Sequence, residues 1–377
     1  MRISAVYAAL FWVTCLGVVY LPEWLRQTGL DTGQIGVVLA SASWLKIPVT
    51  LAAGNLADHL GRRKRVLLIT AGLLACVLPV FFFIKEYFWL CVVWAIAGAL
   101  ASTCVPVADS IAVTAVRRDN AKYGRMRVWG SISFLTGSIL CGWIISKLGG
   151  NTLVWLLCIA ALLLVVSIAL APDYRTKKPN YRGLMIMPVL KIPGFAIFLF
   201  AAAMIMASHS ALYSLSTVYW SANGIELSVI GLLWATGVVA EILIFYIAAP
   251  VQRVFNPWGL LLVASAVAIG RWLLTAVVTE PLSLFFIQSL HAITFTFTQL
   301  AVVGFIAREI PEELTSSAQT IYDSCAIGLI FGLALFVSGQ LSRVSIGLSF
   351  YAMALMALVG FAFALWQIRR LGWRAHA

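Results

Sequence analysis

Charge is scarce in this chain. Asp, Glu, Lys and Arg make up only 11% of its 377 residues, against about 25% in soluble domains, and that shortage excludes a water-soluble globular protein. Acids are the scarcer sign, 14 against 26 Lys and Arg. The four histidines are scattered, so no metal-ligand spacing arises, and nucleophile elbow, P-loop and C-x-x-C pair are all missing. Those absences exclude an enzyme and give no reason to expect a cofactor. A small-residue cleavage site is also lacking after the first apolar stretch, where Pro22, Glu23 and Trp24 follow, so that stretch is expected to stay as a membrane span. The seven cysteines (Cys15, Cys76, Cys91, Cys104, Cys141, Cys158 and Cys325) all lie inside apolar runs and read as free packing thiols.

Long apolar runs fill what remains. A helical span needs about 20 residues, and runs of that size lie near 4–24, 33–56, 66–84, 87–113, 123–147, 152–171, 194–220, 228–250, 258–279, 281–306, 315–341 and 346–368. The expected fold is an all-α membrane protein of twelve transmembrane helices. It divides into a six-helix half at 1–171, a central loop at 172–193 and a second six-helix half at 194–377. The loop is basic, with Arg175, Lys177, Lys178, Arg182 and Lys191. Twenty of the 26 Lys and Arg fall on the side of the termini and this loop, whereas Arg26, Lys85, Lys147 and Arg343 fall on the other. The positive-inside rule therefore places both termini in the cytoplasm. The formal charge of +12 is thus a signal of topology, and nucleic acid is not an expected partner.

The two halves resemble each other at an offset of 195 residues: Gly29 falls on Gly224, Ile35-Gly36 on Ile230-Gly231, Trp24 on Tyr219, and Lys46 on Glu241. Such duplication is common among transporters, and it predicts two pseudo-symmetric halves around a central cavity.

Several charges sit where lipid would otherwise surround them. A charge at mid-membrane costs at least about 2.5–3.5 kcal/mol, so Lys46, Asp109, Glu241, Arg271 and Asp323, with Arg127 near one end of its span, need partners, a water-filled cavity or a function. Asp109 and Arg127 lie ten residues before and eight after Asp119 in the intervening turn, at similar depths on consecutive antiparallel spans. They read either as a structural ion pair or as substrate contacts, Arg127 holding an acceptor oxygen and Asp109 a donor. Arg271 and His291 flank the turn at Glu280-Pro281 at matching depths, and Glu241 supplies an acid, so these three suit proton coupling. Lys46 and Asp323 either pair with each other or serve an anionic substrate and a proton respectively. His209 shares a helical face with Tyr213, Ser216 and Trp220, which suits either a cavity wall or a packed polar histidine. Trp258 and Trp373 read as interfacial belt residues. Trp44, Trp129, Trp234 and Trp272 lie near the charges and are candidates to stack on a ring.

The segment from Gly54 to Arg65, with Asp58, Gly61, Arg62 and Arg63, resembles the G-x-x-x-D-x-x-G-R-[RK] signature of the major facilitator superfamily. That resemblance implies the major facilitator fold and an inner-gate role for this loop. Its counterpart in the second half, Val251 to Pro257, keeps only Arg253. The run Tyr123 to Gly130 and the acid at Asp109 are similar to the lactose permease-type sugar:proton symporters and to the phenylpropionate permease family. Val218-Tyr219-Trp220, Gly237 to Glu241, Arg271-Trp272 and Leu290-His291 resemble the latter. The resemblance implies that Asp109 and Arg127 belong to the substrate site, and Glu241, Arg271 and His291 to proton coupling. Thr294 stands where the sugar symporters carry a second acid, and those symporters lack an acid at the place of Asp323.

The leading expectation is a monomeric, multi-pass protein of a bacterial inner membrane that imports a small organic solute with protons by alternating access. An aromatic carboxylate is the first choice of solute. Arg127 or Lys46 would bind its carboxylate, Trp129, Trp44 or Trp272 would flank its ring, His209 and Tyr213 would line the site, and Glu241, Arg271, His291 and Asp323 would handle the proton. The alternatives are a sugar or nucleoside symporter, a proton-driven exporter, and a non-transporting sensor of the same fold.

Overall fold

The computed structural model describes residues 2–119, 123–174, 186–311 and 314–371. Arg175, Lys177, Lys178, Arg182 and Trp373 lie outside the described residues, as does the Asp58 side chain. Twelve helices are long and apolar enough to span a membrane: α1 (Arg2–Gln27), α2 (Thr32–Gly54), α3 (Arg63–Phe82), α4 (Tyr87–Ala112), α5 (Arg125–Leu148), α6 (Thr152–Leu170), α7 (Phe195–Ala222), α8 (Leu227–Tyr246), α9 (Pro257–Val277), α10 (Pro281–Glu309), α11 (Ser317–Ser342) and α12 (Ile346–Arg370). No strand occurs among the described residues. Each expected span coincides with one of them. Large apolar side chains such as Leu162, Leu163 and Val166 on α6 are more than half exposed, as hydrocarbon contact requires.

Local chemistry sets the ends. Asn256 caps α9 by accepting the Gly259 N–H at 2.8 Å, with Pro257 at the first turn where no donor is needed. Glu280 does the same for α10, accepting from Leu282 and Ser283 at 2.8 and 2.7 Å ahead of Pro281. The N–H groups of Ser283 and Leu282 hold the Glu280 carboxyl below the usual carboxylate range. This cap therefore contributes in full above the unfolded pKa and is lost as pH falls through the folded one. The largest departure from an expected boundary is at the end of the eighth span. The eighth span stops at Tyr246 rather than 250, because Pro250 has no N–H for the Tyr246 carbonyl, and Ala248–Val254 starts a separate short helix.

The repeat is visible in backbone detail. Gly29 and Gly224 adopt left-handed φ of 100° and 84°. The Leu30 N–H reaches the Leu25 carbonyl at 3.2 Å and the Ile225 N–H reaches that of Trp220 at 3.0 Å, while Ile35 bonds Asp31 as Ile230 bonds Glu226. Every member of the first set lies 195 residues before its counterpart, so the two turns close in the same Schellman-like way.

The helices form two compact units. The first comprises 1–182 with 217–235. In it α5 meets α1 through Ser133 and the Ala8 carbonyl at 2.6 Å, and α2 meets α4 through Thr50 and Thr103 at 2.8 Å. Tyr20 donates to the Ser138 carbonyl. Gly142 on α5 and Gly231 on α8 let these backbones touch: a Cβ at Gly142 would lie 2.6 Å from the Leu227 oxygen, and one at Gly231 would fall on the Ser138 oxygen. Beside them Glu23, 2% exposed, accepts from Arg26 at 2.7 and 2.8 Å and from Gln27 at 3.0 Å. The signature loop turns at Gly61, whose φ of 61° is left-handed. Arg63 then donates to Thr114 at 2.9 Å, and Lys64 donates to the Ala169 and Ala171 carbonyls at the end of α6 at 2.8 and 2.6 Å, where a cation suits the helix dipole.

The second unit comprises 183–216 with 236–377. Its core is aromatic, with Phe198 stacked on Phe305 at 4.0 Å and edge-on to Trp258 at 5.0 Å.

A side chain at Gly231 has no space, so Gly231→Leu is expected to destabilise by overpacking, by about 1–3 kcal/mol, and to lower Tm in detergent. Gly72→Ala, with nothing within 4 Å of the new Cβ, is expected to leave Tm unchanged or raise it through helix propensity.

Candidate functional site

In the first unit the chemistry begins on α1. Tyr7 and Phe11 stand four residues apart and therefore share a helical face. Tyr7 is fully buried and donates its hydroxyl to Asp109 at 2.5 Å. The Arg127 guanidinium lies 4.0 Å over the Phe11 ring and 5.5 Å from that of Tyr7. Gly130, one turn on, makes this possible: a Cβ there would come within 2.9 Å of both Arg127 Nη1 and the Phe11 ring. Asp109 and Arg127 thus meet through Tyr7 rather than directly. Among the described residues Arg127 has no ion pair and no hydrogen-bond acceptor. Each such cation–π contact contributes about 0.5–1 kcal/mol when exposed and about 2 kcal/mol or more when desolvated.

Other sequence candidates of this unit are placed less closely. Lys46 and Trp44 are half-buried on α2, and the Trp44 Nε1 is buried with no acceptor among the described residues. Trp129 is 51% exposed. It is two residues from Arg127, hence about 160° around the helix, and does not join the Arg127 cluster. Gly54 faces open space. Trp234 is buried near the start of α8, in the first unit.

In the second unit Arg271 on α9 is fully buried. Its Nε donates to the Ile287 carbonyl at 3.1 Å, Nη2 to Gln288 Oε1 at 2.7 Å, and Nη1 to His291 Nδ1 at 3.2 Å and Thr294 Oγ1 at 3.0 Å. Gln288, His291 and Thr294 recur every third residue and so form one stripe of α10. A guanidinium only donates, so His291 Nδ1 accepts and its proton resides on Nε2. That nitrogen faces Glu241 Oε2 on α8 at 3.9 Å, with Gly237 one turn earlier keeping α8 close to His291.

His209 is equally fixed. Its Nδ1 lies 3.1 and 3.2 Å from the Ile205 and Met206 carbonyls, which only accept, so Nε2 takes the Thr294 hydroxyl proton at 3.0 Å. His209 and Ser208, which donates to the Ile205 carbonyl at 2.6 Å, use carbonyls that a continuous helix would need, and α7 is interrupted at these two residues. Trp272 donates to Ser208 Oγ at 2.9 Å and meets His209 edge-on at 5.0 Å, with Arg271 4.5 Å above its ring. Trp272 and His209 are both fully buried, so in this structure they support Arg271 from behind rather than line an open wall. Tyr213 is half-buried, 5.8 Å from Phe331, and close enough to Glu241 and Arg271 to feel both charges. Asp323 is half-buried at the start of a π-helical segment, Asp323–Ile330.

Sequence reasoning did not pick out Tyr7, Phe11, Gln288 or Ser208, named Gly130 only as the end of a resembling run, and took Thr294 only as a departure. The spacing of Tyr7 and Phe11 and the three-residue recurrence of Gln288, His291 and Thr294 are the signals that carry them.

The MFS_1 like family model matches residues 1–364. The chain belongs to this family. As a member of the MFS_1 like family it is a transporter and not an enzyme. It is 27% identical over 347 residues, 90% of this chain and 91% of the relative, to the "Probable 3-phenylpropionic acid transporter" of Escherichia coli (strain K12). It is also 27% identical over 363 residues, 91% of this chain and 86% of the relative, to the maltose permease of Geobacillus stearothermophilus. Among solved structures, a mutant of the nucleoside transporter NupG superposes with a TM-score of 0.84 at 16% identity, covering 97% of this chain and 98% of that one. These likenesses establish the major facilitator fold expected from the signature loop.

Hydrogen bonds to a charged group contribute about 1.5–3 kcal/mol, so Gln288→Leu, which leaves Arg271 Nη2 without its acceptor, is expected to destabilise by that amount. Thermal unfolding in detergent measures it, with Ser289→Ala, a half-buried neighbour bonded only to the Phe286 carbonyl one turn back, as the comparison expected to stay near the wild-type Tm.

Proposed function

We propose that this protein is a proton-coupled symporter that imports an aromatic carboxylate across a bacterial inner membrane by alternating access, with both termini in the cytoplasm. The observation that carries this reading is the Arg127 guanidinium, 4.0 Å above Phe11 and without a hydrogen-bond acceptor among the described residues. Its planar fork suits bidentate binding of a carboxylate. Phe11 and Tyr7 present aromatic surface beside it, and the fully buried Tyr7 holds Asp109 in place. Likeness to a probable 3-phenylpropionic acid transporter supports the same class of solute.

The second unit supplies the proton chemistry. Glu241 is the acid that loads and releases, His291 presents Nε2–H to it, and Arg271 fixes the imidazole by occupying Nδ1. A carboxyl near a protonatable imidazole and a permanent cation gains or loses its proton as those neighbours move. Asp323 and Lys46 are kept as supporting charges, and the Gly54 to Arg63 loop, with Asp58, Gly61 and Arg62, as the inner gate.

The test is reconstitution into liposomes holding a pH dye, with 3-phenylpropionate, other aromatic acids, sugars and nucleosides added outside. Proton entry driven by aromatic acids alone is the expected result. Entry with sugars or nucleosides only would move the substrate role to Asp109 as an acceptor for hydroxyls, and efflux from loaded vesicles without uptake would make the protein an exporter. Arg127→Lys keeps the charge but loses the fork, and is expected to raise KM about ten- to hundredfold, as loss of hydrogen bonds to a charged group implies. Glu241→Gln is expected to abolish proton-driven accumulation while leaving solute exchange intact; loss of binding in that variant would place Glu241 in the solute site instead.

A further inference from the structure

Three buried helices meet at one hydroxyl. Arg271 from α9 donates to Thr294 Oγ1 at 3.0 Å, and His209 from α7 stands 3.0 Å from the same oxygen. Arg271, His209 and Thr294 are all 0% exposed. A hydroxyl has a single proton to give. The other acceptor within reach is the His291 carbonyl of its own helix, at 3.3 Å. His209 Nδ1 is committed to the Ile205 and Met206 carbonyls, which leaves Nε2 to draw that proton and turns the oxygen lone pairs toward the guanidinium. Gln288 Oε1 and the Ile287 carbonyl hold Arg271 from its other edges. Among the described residues every hydrogen-bond acceptor of Arg271 is therefore uncharged, although Glu241 belongs to the same cluster.

Among the groups around Glu241 are His291 from α10 at 3.9 Å, Tyr213 from α7, and Arg271 from α9, with His209 of α7 behind His291 at a ring separation of 5.5 Å. Of these, Arg271 is the permanent cation. Its distance from the carboxylate decides how readily Glu241 takes up a proton, because an opposite charge favours the ionised form.

We infer that Thr294 is a positioning residue for proton exchange at Glu241: by tying Arg271 to His209 it keeps the guanidinium on neutral acceptors and leaves His291 between the two charges. This rests on the proton-coupled reading given above. Among the described residues Thr294 has no hydrogen bond to the carboxylate itself. It acts through Arg271.

The experiment is a pH titration of purified protein by infrared difference spectroscopy, following the carboxylic acid stretch of Glu241, which is identified by its absence in Glu241→Gln. Thr294→Val removes the hydroxyl at nearly constant volume and frees one edge of Arg271. Its Glu241 midpoint is expected to fall by about one pH unit or more, tenfold in proton concentration, whereas Thr294→Ser is expected to keep the wild-type midpoint. An unchanged midpoint in Thr294→Val, or an equal fall in Thr294→Ser, overturns the inference. Thr294→Ala carries the same expectation should the valine variant not fold. The liposome assay separates the two claims. A wild type that moves no protons with any solute, together with a shifted midpoint in Thr294→Val, sinks the symport reading and leaves the positioning role standing. A wild type that symports while the midpoint stays fixed sinks the positioning role alone.

Discussion

An arginine inside a membrane protein cannot shed its charge, so something other than water has to solvate it. In the second unit that solvent is the protein itself: a backbone carbonyl, an amide, a hydroxyl and an imidazole surround Arg271 on the edges from which its N–H groups point. Much of the local architecture follows from this one requirement. The stripe of Gln288, His291 and Thr294 has to face α9. Trp272 has to lie under the guanidinium, and α7 has to bring His209 close enough to draw the Thr294 proton. Acceptors that are neutral solvate the cation without cancelling it, so the cluster keeps a field that a nearby carboxylate can sense.

The first unit treats its arginine in the opposite way. Arg127 rests on the faces of Phe11 and Tyr7, which attract a cation but supply no acceptor for its N–H groups. Glycine at position 130 leaves room for the guanidinium against Phe11, and its donors meet no acceptor among the described residues. One arginine is saturated with acceptors and the other rests on aromatic faces. The proposed division of labour, solute at Arg127 and proton control around Arg271, draws on this difference.

The spans and the repeat were legible because a bilayer imposes a length and a composition that are read directly from hydropathy. The offset of 195 residues shows again in the paired left-handed glycines and their matching turns. Charged site residues were legible for a related reason, since each one violates the apolar rule. What escaped was neutral. Tyr7, Phe11, Gln288 and Thr294 look like ordinary members of apolar or weakly polar helices, and only their contacts with Arg127 and Arg271 distinguish them. Trp129 shows the converse: it is close to Arg127 in sequence, yet a helical turn of about 200° over two residues turns it away from the Phe11 face.

In the second unit, backbone irregularity gathers at polar and charged side chains. The α7 interruption falls at Ser208 and His209, and π-helical segments begin immediately after His291 and at Asp323. Such departures from regular helix are frequent at functional sites, and here the cause at α7 is specific. Ser208 and His209 spend their side-chain hydrogen bonds on carbonyls one turn back, so the regular ladder gives way at the point where Trp272 and Thr294 need those same side chains. A sequence window sees two polar residues in an apolar span and nothing more. The break becomes intelligible only once the Arg271 cluster is assembled, because it is the demand of that cluster for a proton on His209 Nδ1 and a lone pair on Nε2 that aligns the imidazole with its own helix.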